Sequence, residues 1–295
     1  MINVDWCRGA SLVWYYTPRK LPIHSKIRRK TLINSRALIL IAFSLFLCIV
    51  WQTSGLCAIE NLVAAWNFNQ GTGNTVKDIS GNGHNGSISG AKWVQGKFGK
   101  ALKFNGDGDQ VLIPHSDKLN LQKGLTVEAW IYPTGWNPDL NAIAQKWEDG
   151  SNRRQYQLTV YKEKNWWYAT CCGDKWKPRA EGQINVKLDK WVHLAGTYDG
   201  KKLRNYTNGK LDIETADMTS GLFASDVPVA IGGYGPKTKK VTYGQNRHFM
   251  GIIDEVRIWG KALNEKEIRD GMKGPIASVK TNGKLPVVWG DIKYH

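Results

Sequence analysis

The chain has 295 residues, with 41 lysines and arginines against 25 aspartates and glutamates, a formal net charge of +16. This length accommodates one large β domain or two small domains. The positive charge would suit nucleic acid or an acidic polysaccharide, but the lysines are scattered rather than gathered in a block, so we expect a solvated basic surface and no nucleic-acid partner.

The N-terminal segment has the layout of an export signal. An apolar run over residues 37–50 follows the basic stretch from Lys26 to Arg36, and small residues come soon after it. Because the run is short for a stable membrane span, we expect residues 1–58 to be a basic segment and signal peptide, or alternatively an uncleaved membrane anchor. The protein is then secreted or held in the cell envelope, and only this segment, if uncleaved, contacts a membrane.

The loop over residues 78–86 combines glycines, which allow tight turns, with side chains that carry oxygen. Its sequence is Asp-Ile-Ser-Gly-Asn-Gly-His-Asn-Gly. Such a loop can hold a hard cation such as calcium. The alternative is a plain surface turn.

Aromatic side chains crowd into residues 136–176. We interpret this segment as a glycan platform, because the apolar faces of sugar rings stack on aromatic rings and polar neighbours grip the hydroxyls. The candidate carbohydrate contacts are the rings of Trp147, Trp166, Trp167 and Trp176 and the cations of Arg153, Arg154 and Lys175. The cations would favour glycans that carry sulfate or carboxylate groups. The alternative is that most of these rings belong to the core.

Strand alternation sharpens this interpretation. Trp166 and Trp167 are neighbours in a predicted strand, so their rings point to opposite faces, and the outward ring is the better ligand contact. Trp167 is the outward one if Trp166 faces the core, and the order reverses if the faces reverse.

The adjacent Cys171 and Cys172 are interpreted as two thiols or as a strained vicinal disulfide.

From residue 62 onward the chain consists of short apolar or alternating runs separated by Gly, Asn and Asp. This pattern is typical of an antiparallel β sandwich. The clearest part lies between residues 191 and 215, where one Asp-Gly and one Asn-Gly pair predict two tight hairpin turns. Three consecutive antiparallel strands are therefore expected there.

The last predicted strand and the segment after it complete the domain. Asp254 shares one side of that strand with apolar residues, so a buried carboxylate there would need a positive partner or a cation; the alternative is that the faces are reversed and Asp254 is solvated. Asn264 and Glu267 suit a capping box, which predicts a short helix ending at Gly271. Residues 272–295 are expected to form a tail.

Several segments together resemble a known family. They lie, in family order, at residues 62–73, 78–86, 96–106, 125–131 (Leu-Thr-Val-Glu-Ala-Trp-Ile), 191–200 (Trp-Val-His-Leu-Ala-Gly-Thr-Tyr-Asp-Gly) and 251–259 (Gly-Ile-Ile-Asp-Glu-Val-Arg-Ile-Trp). The chain resembles the bacterial LamG-like jelly-roll domains of the concanavalin A-like lectin/glucanase superfamily. The resemblance implies an all-β, antiparallel two-sheet jelly-roll sandwich over residues 59–271, a structural calcium in many members, and carbohydrate or protein binding at one face or rim.

From the loop and the resemblance together we predict one calcium ion. Its ligands would be Asp78, Asn82, a backbone carbonyl such as that of His84, and Asp254. Hard oxygen ligands of this kind suit calcium. The ion would tie the first loop of the sandwich to its last strand.

The same broad fold hosts glycoside hydrolases, which need two carboxylates about 5–10 Å apart. Glu128 is alone in its strand, and the adjacent Asp254 and Glu255 are expected on opposite faces. His193 is interpreted as a packed histidine, and no Gly-x-Ser-x-Gly motif is present. We therefore predict a non-catalytic extracellular module that binds a glycan, including acidic polysaccharide. The alternatives are a structural or adhesive envelope domain that binds protein and, less favoured, a domain related to glycoside hydrolases.

Overall fold

The computed structural model describes residues 60–148, 154–169, 179–216, 221–235 and 247–276. These residues contain sixteen strands: β1 (Leu62–Trp66), β2 (Thr75–Val76), β3 (Gly86–Ser89), β4 (Lys92–Gln95), β5 (Lys100–Asn105), β6 (Gln110–Ile113), β7 (Leu125–Pro133), β8 (Asn141–Trp147), β9 (Arg154–Tyr161), β10 (Lys164–Ala169), β11 (Arg179–Asn185), β12 (Val192–Tyr198), β13 (Leu203–Thr207), β14 (Lys210–Glu214), β15 (Val229–Ile231) and β16 (Met250–Trp259). One helix, α1 (Glu265–Gly271), follows the last strand. The predictions for residues 1–58 and for Arg153, Cys171, Cys172, Lys175 and Trp176 lie outside the described residues.

The strands pair into two antiparallel sheets of eight strands each. In the first sheet the order is β14-β13-β12-β7-β16-β5-β4, and β1 also pairs with β16. In the second sheet the order is β11-β10-β9-β8-β15-β6-β3-β2. This arrangement confirms the predicted two-sheet jelly-roll sandwich with one short C-terminal helix.

The hairpins of β12, β13 and β14 contain the two dipeptides that predicted them. Asn208-Gly209 alone spans the second turn, whereas the Asp-Gly pair lies in a four-residue loop, 199–202. Gly200, Asn208 and Gly209 have positive φ angles of 95°, 51° and 72°. Glycine and asparagine reach this region more readily than other residues, which is why these pairs favour two-residue turns. The Asn208 N–H donates to the His193 carbonyl at 2.8 Å and so ties the second turn to β12.

The core lies between the two sheets, and Trp167 crosses it. This side chain projects inward from β10 and is 0% exposed. Its Nε1 donates to the Thr197 carbonyl of the first sheet at 3.2 Å. The ring packs against Gly196, where a Cβ would lie only 2.2 Å from a ring carbon. Any side chain at position 196 would therefore collide with the ring, so the close approach of the two sheets here depends on glycine.

Helix α1 begins as the sequence predicts. The Asn264 side chain accepts a hydrogen bond from the Glu267 N–H at 3.0 Å, and the Glu267 carboxylate accepts one from the Asn264 N–H at 2.8 Å. Its buried Ile268 belongs to an apolar cluster with Trp259 and Leu263, so the helix covers part of the outer face of the first sheet. None of the helices in the described part of the chain has the length and apolarity needed to cross a bilayer.

Candidate functional site

The outer face of the second sheet is built from alternate residues of β8, β9 and β10. On β9 the side chains of Tyr156, Leu158 and Val160 enter the core. Alternation therefore directs Gln157 and Thr159 to the outer face. Gln157 lies opposite Gln145 on β8, and Thr159 lies opposite Trp166 on β10. Neighbouring strands thus place amide, hydroxyl and indole groups side by side.

Five apolar side chains form one cluster away from the main core: Leu140, Trp147, Tyr161, Trp166 and Tyr234. The rings of Tyr161 and Trp166 have centroids 4.5 Å apart at an interplanar angle of 57°. Trp147 is 2% exposed, whereas Trp166, Tyr161 and Tyr234 are half-buried. We call this cluster, together with Gln145, Gln157 and Thr159, the aromatic face. It brings together two of the predicted ring contacts, Trp147 and Trp166.

The polar groups of the aromatic face are buried and only partly satisfied. The Gln157 amide nitrogen donates to the Gln145 side-chain oxygen and, at 3.0 Å, to the Tyr234 hydroxyl. Gln145 in turn donates to the Gly233 carbonyl at 3.1 Å. Within the described residues, Gln157 Oε1 and Thr159 Oγ1 are buried without a hydrogen-bond partner. Buried oxygens in this state are costly unless another molecule supplies donors.

Cations approach the rings, but each already has a partner. The Arg179 guanidinium lies 5.1 Å from the centroid of the Trp166 ring and forms an ion pair with Glu181. The Arg154 guanidinium lies 5.3 Å from the centroid of the Trp147 ring and donates to a backbone carbonyl at 3.3 Å. Arg154 therefore lies over the ring of Trp147, and both residues were predicted as carbohydrate contacts.

A third guanidinium, that of Arg247, closes one side of the aromatic face. It pairs with the Asp139 carboxylate at 2.5 Å and donates to the Tyr234 hydroxyl at 3.0 Å. It also lies 5.3 Å from the centroid of the Tyr234 ring. Sequence reasoning missed Tyr234, Arg247 and the amides of Gln145 and Gln157, because they come from strands and loops that only the sheet register brings together.

The prediction that included Trp167 among the ligand contacts is wrong. Its ring faces the core and spans both sheets, as described above. Alternation then directs Trp166 outward, where its ring is half-buried and contacts Tyr161 and Arg179.

The outer face of the first sheet carries a second group of polar residues, here called the ion network. The Glu128 carboxylate lies 3.3 Å from His193 Nε2 and 3.6 Å from Arg257 Nη1, and accepts a hydrogen bond from Trp259 Nε1 at 2.9 Å. Arg257 also donates to Glu255 at 2.8 Å.

Burial would raise the pKa of Glu128, but the neighbouring His193 and Arg257 hold that pKa below its usual value. Burial raises the pKa of Glu255 despite its bond to Arg257.

The segment that ends helix α1 closes over this network. Arg257 donates to the carbonyls of Gly271 and Gly274 at 2.7 and 2.9 Å. The side chains of Glu128, His193, Glu255 and Arg257 are all almost fully buried. The network therefore attaches the C-terminal helix to the sheet and presents no carboxylate pair to solvent.

A β-bulge in β16 overturns one expectation from alternation. Glu255 has a φ of 51°, and the register shifts so that Asp254 lies opposite Trp130 while Arg257 lies opposite Glu128. One extra residue on the bulged strand breaks the strict alternation of side chains. Asp254 and Glu255 were expected on opposite faces, but the bulge lets Glu255 reach Arg257 on the outer face.

The predicted calcium loop is satisfied by its own hydrogen bonds. Asp78 Oδ1 accepts from the N–H groups of Ala65 and Ser80 at 3.0 and 2.9 Å. Its Oδ2 accepts from the Ser80 hydroxyl and the His84 N–H, both at 2.9 Å. An ionised carboxylate offers about four acceptor sites, so those of Asp78 are already occupied.

The other predicted ligands of the loop also form hydrogen bonds, although Asn82 donates with its amide nitrogen and not through its oxygen. The Asn82 amide donates to the carbonyls of Leu62 and Val63 at 3.2 and 3.0 Å, and the His84 carbonyl accepts from Trp66 Nε1 at 2.7 Å. These bonds fix the loop against β1.

Asp254 lies in a different environment from the loop. Its carboxylate accepts from the N–H groups of Phe98 and Glu255 at 3.0 and 2.8 Å, and burial raises its pKa to about 7. Among the described residues it has no cationic partner, and it is not exposed to solvent, so neither alternative of the sequence analysis holds. In the described residues, no three His, Cys, Asp or Glu side chains are grouped as metal ligands. The predicted set of Asp78, Asn82, His84 and Asp254 therefore does not fit a calcium ion.

Comparisons with known proteins agree with the fold. The Laminin_G_3 family model, described as the concanavalin A-like lectin/glucanases superfamily, matches residues 105–269. Mouse (Mus musculus) pappalysin-1 is 32% identical over 87 residues, which is 28% of this chain and 5% of pappalysin-1.

Solved structures show the same architecture at low sequence identity. The binding domain of Paraclostridial mosquitocidal protein 1 superposes with a TM-score of 0.58 at 16% identity, covering 71% of this chain and 51% of that one. Domain 4 of AbnA, an extracellular arabinanase from Geobacillus stearothermophilus solved with arabinotriose, superposes with a TM-score of 0.53 at 20% identity, covering 71% of this chain and 97% of that one. The chain thus spans about half of the first structure and a small part of pappalysin-1. Since the family model covers more than half of the chain and the two-sheet fold agrees with it, the chain belongs to the concanavalin A-like lectin/glucanase superfamily.

Proposed function

We propose that this protein is a non-catalytic carbohydrate-binding module whose ligand stacks on the aromatic face. The observation that carries the proposal is the half-buried Trp166 ring beside two buried oxygens, Gln157 Oε1 and Thr159 Oγ1, that have no partner within the described residues. A sugar has an apolar face for the ring and hydroxyl donors for the oxygens. Other buried oxygens of the described residues, such as Thr197 Oγ1 and Asn205 Oδ1, also lack donors, so it is the half-buried ring beside Gln157 and Thr159 that makes this face the candidate.

The similar structures support a binding role. One of them is the binding domain of a mosquitocidal protein, and another was solved in complex with arabinotriose. Fold similarity alone does not transfer a ligand. It makes a glycan the first class of molecule to test on the aromatic face.

A catalytic role has less support. Glu128 and Glu255 share the outer face of the first sheet, but both are buried against Arg257 and beneath the end of α1. On the aromatic face, Glu181 and Asp139 are each paired with an arginine. A glycosidase needs two carboxylates that reach one sugar, one of them protonated as the acid.

The proposal includes export, with residues 1–58 removed or retained as an anchor, and it retains Trp176, Arg153 and Lys175 as further candidate contacts. N-terminal sequencing of the protein recovered outside the cytoplasm tests the export step. An intact chain beginning at Met1 and confined to the cytoplasm would contradict it.

Binding is tested with a glycan array, followed by calorimetry of the hits on the wild type and on Trp166→Ala. Loss of one stacked ring is expected to weaken binding by about 1–3 kcal/mol, by analogy with base stacking on aromatic rings. The matched control is Trp191→Ala, because Trp191 is also half-buried but packs against Tyr132 on the first sheet. Equal affinity losses in both variants, or no array hit, would refute the proposal and favour the adhesive or structural alternative.

A further inference from the structure

We infer that the aromatic face selects an uncharged glycan and recognises its hydroxyl groups through Gln157 and Thr159. This inference rests on the proposed function and specifies its ligand class. The expectation of an acidic glycan depended on Arg153, Arg154 and Lys175, of which Arg154 lies within the described residues. The contacts of Arg154, Arg179 and Arg247 favour an uncharged glycan instead.

The side chain of Gln157 offers a ligand a hydrogen-bond acceptor. The Gln157 amide nitrogen is used by Gln145 and Tyr234, so the group left to a ligand is the acceptor Oε1. A sulfate or an ionised carboxylate carries only acceptors and would place its negative charge beside this oxygen. A sugar hydroxyl can donate to Gln157 Oε1. The Thr159 hydroxyl both donates and accepts, so it suits a second hydroxyl of the ligand.

Thr159 and Gln157 lie close to the ring of Trp166 in the sheet. Thr159 is the direct cross-strand partner of Trp166, and Gln157 is the next outward residue along β9. Outward residues two apart on a strand are separated by about 7 Å. A sugar ring stacked on Trp166 would therefore lie next to Thr159 and extend towards Gln157. Both side chains are 0% exposed without a ligand, so their oxygens must become accessible when the ligand binds.

The arginines at the aromatic face already have partners. The guanidinium of Arg179 is paired with Glu181, and that of Arg247 is paired with Asp139. Arg154 donates to a backbone carbonyl and lies over the Trp147 ring. Recruiting Arg179 or Arg247 to an anionic ligand would require breaking an existing ion pair. Within the described residues, the cations at this face therefore hold the rings in position and do not form a binding site for an anion.

The test uses the full-length chain and two sets of polysaccharide probes. The uncharged probes are arabinan, galactan, xylan and dextran, and the anionic probes are dextran sulfate, polygalacturonate and heparin. Affinities are measured at 50 and 500 mM NaCl for the wild type, Thr159→Val, Gln157→Leu and Trp166→Ala. The control is Thr75→Val, because Thr75 is an exposed threonine of the same sheet in β2.

We expect at least one uncharged probe to bind, with an affinity that changes less than two-fold between the two salt concentrations. Thr159→Val and Gln157→Leu should each weaken it about ten-fold, the effect of losing one good hydrogen bond, while Thr75→Val leaves it unchanged. Melting curves identify any variant that has unfolded. If Gln157→Leu unfolds, the test depends on Thr159→Val, because valine has nearly the shape of threonine.

Two results would overturn the inference and separate it from the proposed function. Binding of anionic probes alone, weakened by salt and lost in Trp166→Ala, would keep the aromatic face as the site but refute the uncharged ligand. Binding of an uncharged probe that depends on Trp166 but not on Thr159 or Gln157 would refute the assigned recognition residues. Failure of every probe to bind would refute the inference and count against the proposed function as well.

Discussion

The two outer faces of the sandwich differ in what surrounds their buried polar residues. On the first sheet, Glu128, His193, Glu255 and Arg257 contact one another and are closed over by the end of α1. On the second sheet, the aromatic face combines half-buried rings with Gln157 and Thr159, whose oxygens lack donors within the described residues. Buried atoms without a hydrogen-bond partner occur in both groups, since Glu255 Oε1 and Arg257 Nε also lack one within the described residues. The difference therefore lies in the half-buried rings of the aromatic face, which a ligand can cover.

This difference also separates the family motifs from the candidate site. The charged residues of the first face come from the segments that carry the family resemblance, at residues 125–131, 191–200 and 251–259. The aromatic face comes largely from residues 136–176, where the resemblance gives no reason to expect so many rings. The polar residues of the quoted motifs therefore serve the fold, and residues outside those motifs form the face to which the proposed function is assigned.

The largest expected effect breaks the ion network. Arg257→Met should lower the free energy of unfolding by about 3–5 kcal/mol, because it leaves the carboxylates of Glu128 and Glu255 buried without their cation. The control Arg269→Met removes a more exposed helix pair with Glu265 and should cost less than about 1 kcal/mol. Both are measured by denaturant unfolding. Equal losses would show that the network is no more important than a surface pair.

The second prediction contrasts the two neighbouring tryptophans of β10. Trp167→Ala should lower the free energy of unfolding by about 3–5 kcal/mol, because it leaves a cavity between the sheets. Trp166→Ala removes a half-buried ring that contacts Tyr161 and should lower it by about 1–2 kcal/mol. Thermal melts of the two variants test this order, and a reversed order would mean that Trp166, not Trp167, faces the core.

The third prediction concerns the pH dependence of stability at the first face. The pKa of Asp254, about 7 in the folded protein, exceeds its unfolded value of about 4. The folded state thus keeps a proton that the unfolded chain releases, so this contribution to stability is complete below pH 4 and is lost as the pH rises through 7. Relative to Asp254→Asn, the wild type should lose about 2 kcal/mol of unfolding free energy between pH 5 and 8. Parallel pH profiles of the two proteins would contradict the assignment.

The smallest expected effect is that of calcium, which remains a prediction of the sequence analysis. Because the carboxylate of Asp78 is already saturated by four hydrogen bonds, we expect EDTA to shift the melting temperature of the wild type by less than about 2 °C. An ion that binds the native state at 100 times its Kd would add about 2.7 kcal/mol, or more than about 5 °C. A shift of that size would restore the calcium site and require other ligands for it.

The sequence by itself determined the sandwich, its hairpins and its helix. The Asp-Gly and Asn-Gly pairs specify turns through local backbone preferences, and Asn264 and Glu267 specify the helix start through bonds within four residues. Alternation also separated Trp166 from Trp167 correctly. These features depend on local interactions, which a sequence records directly.

Only the tertiary structure decided which of those faces meets the core and which residues meet across strands. The bulge at Glu255 has no reliable signal in the sequence, yet it places Glu255 beside Arg257 and defeats the alternation argument. Likewise, Gln145, Gln157 and Tyr234 meet because sheet register joins segments that lie far apart in the chain. Register and facing are set by the packing of the whole core, so residues that form the candidate site could be named individually from the sequence but not assembled.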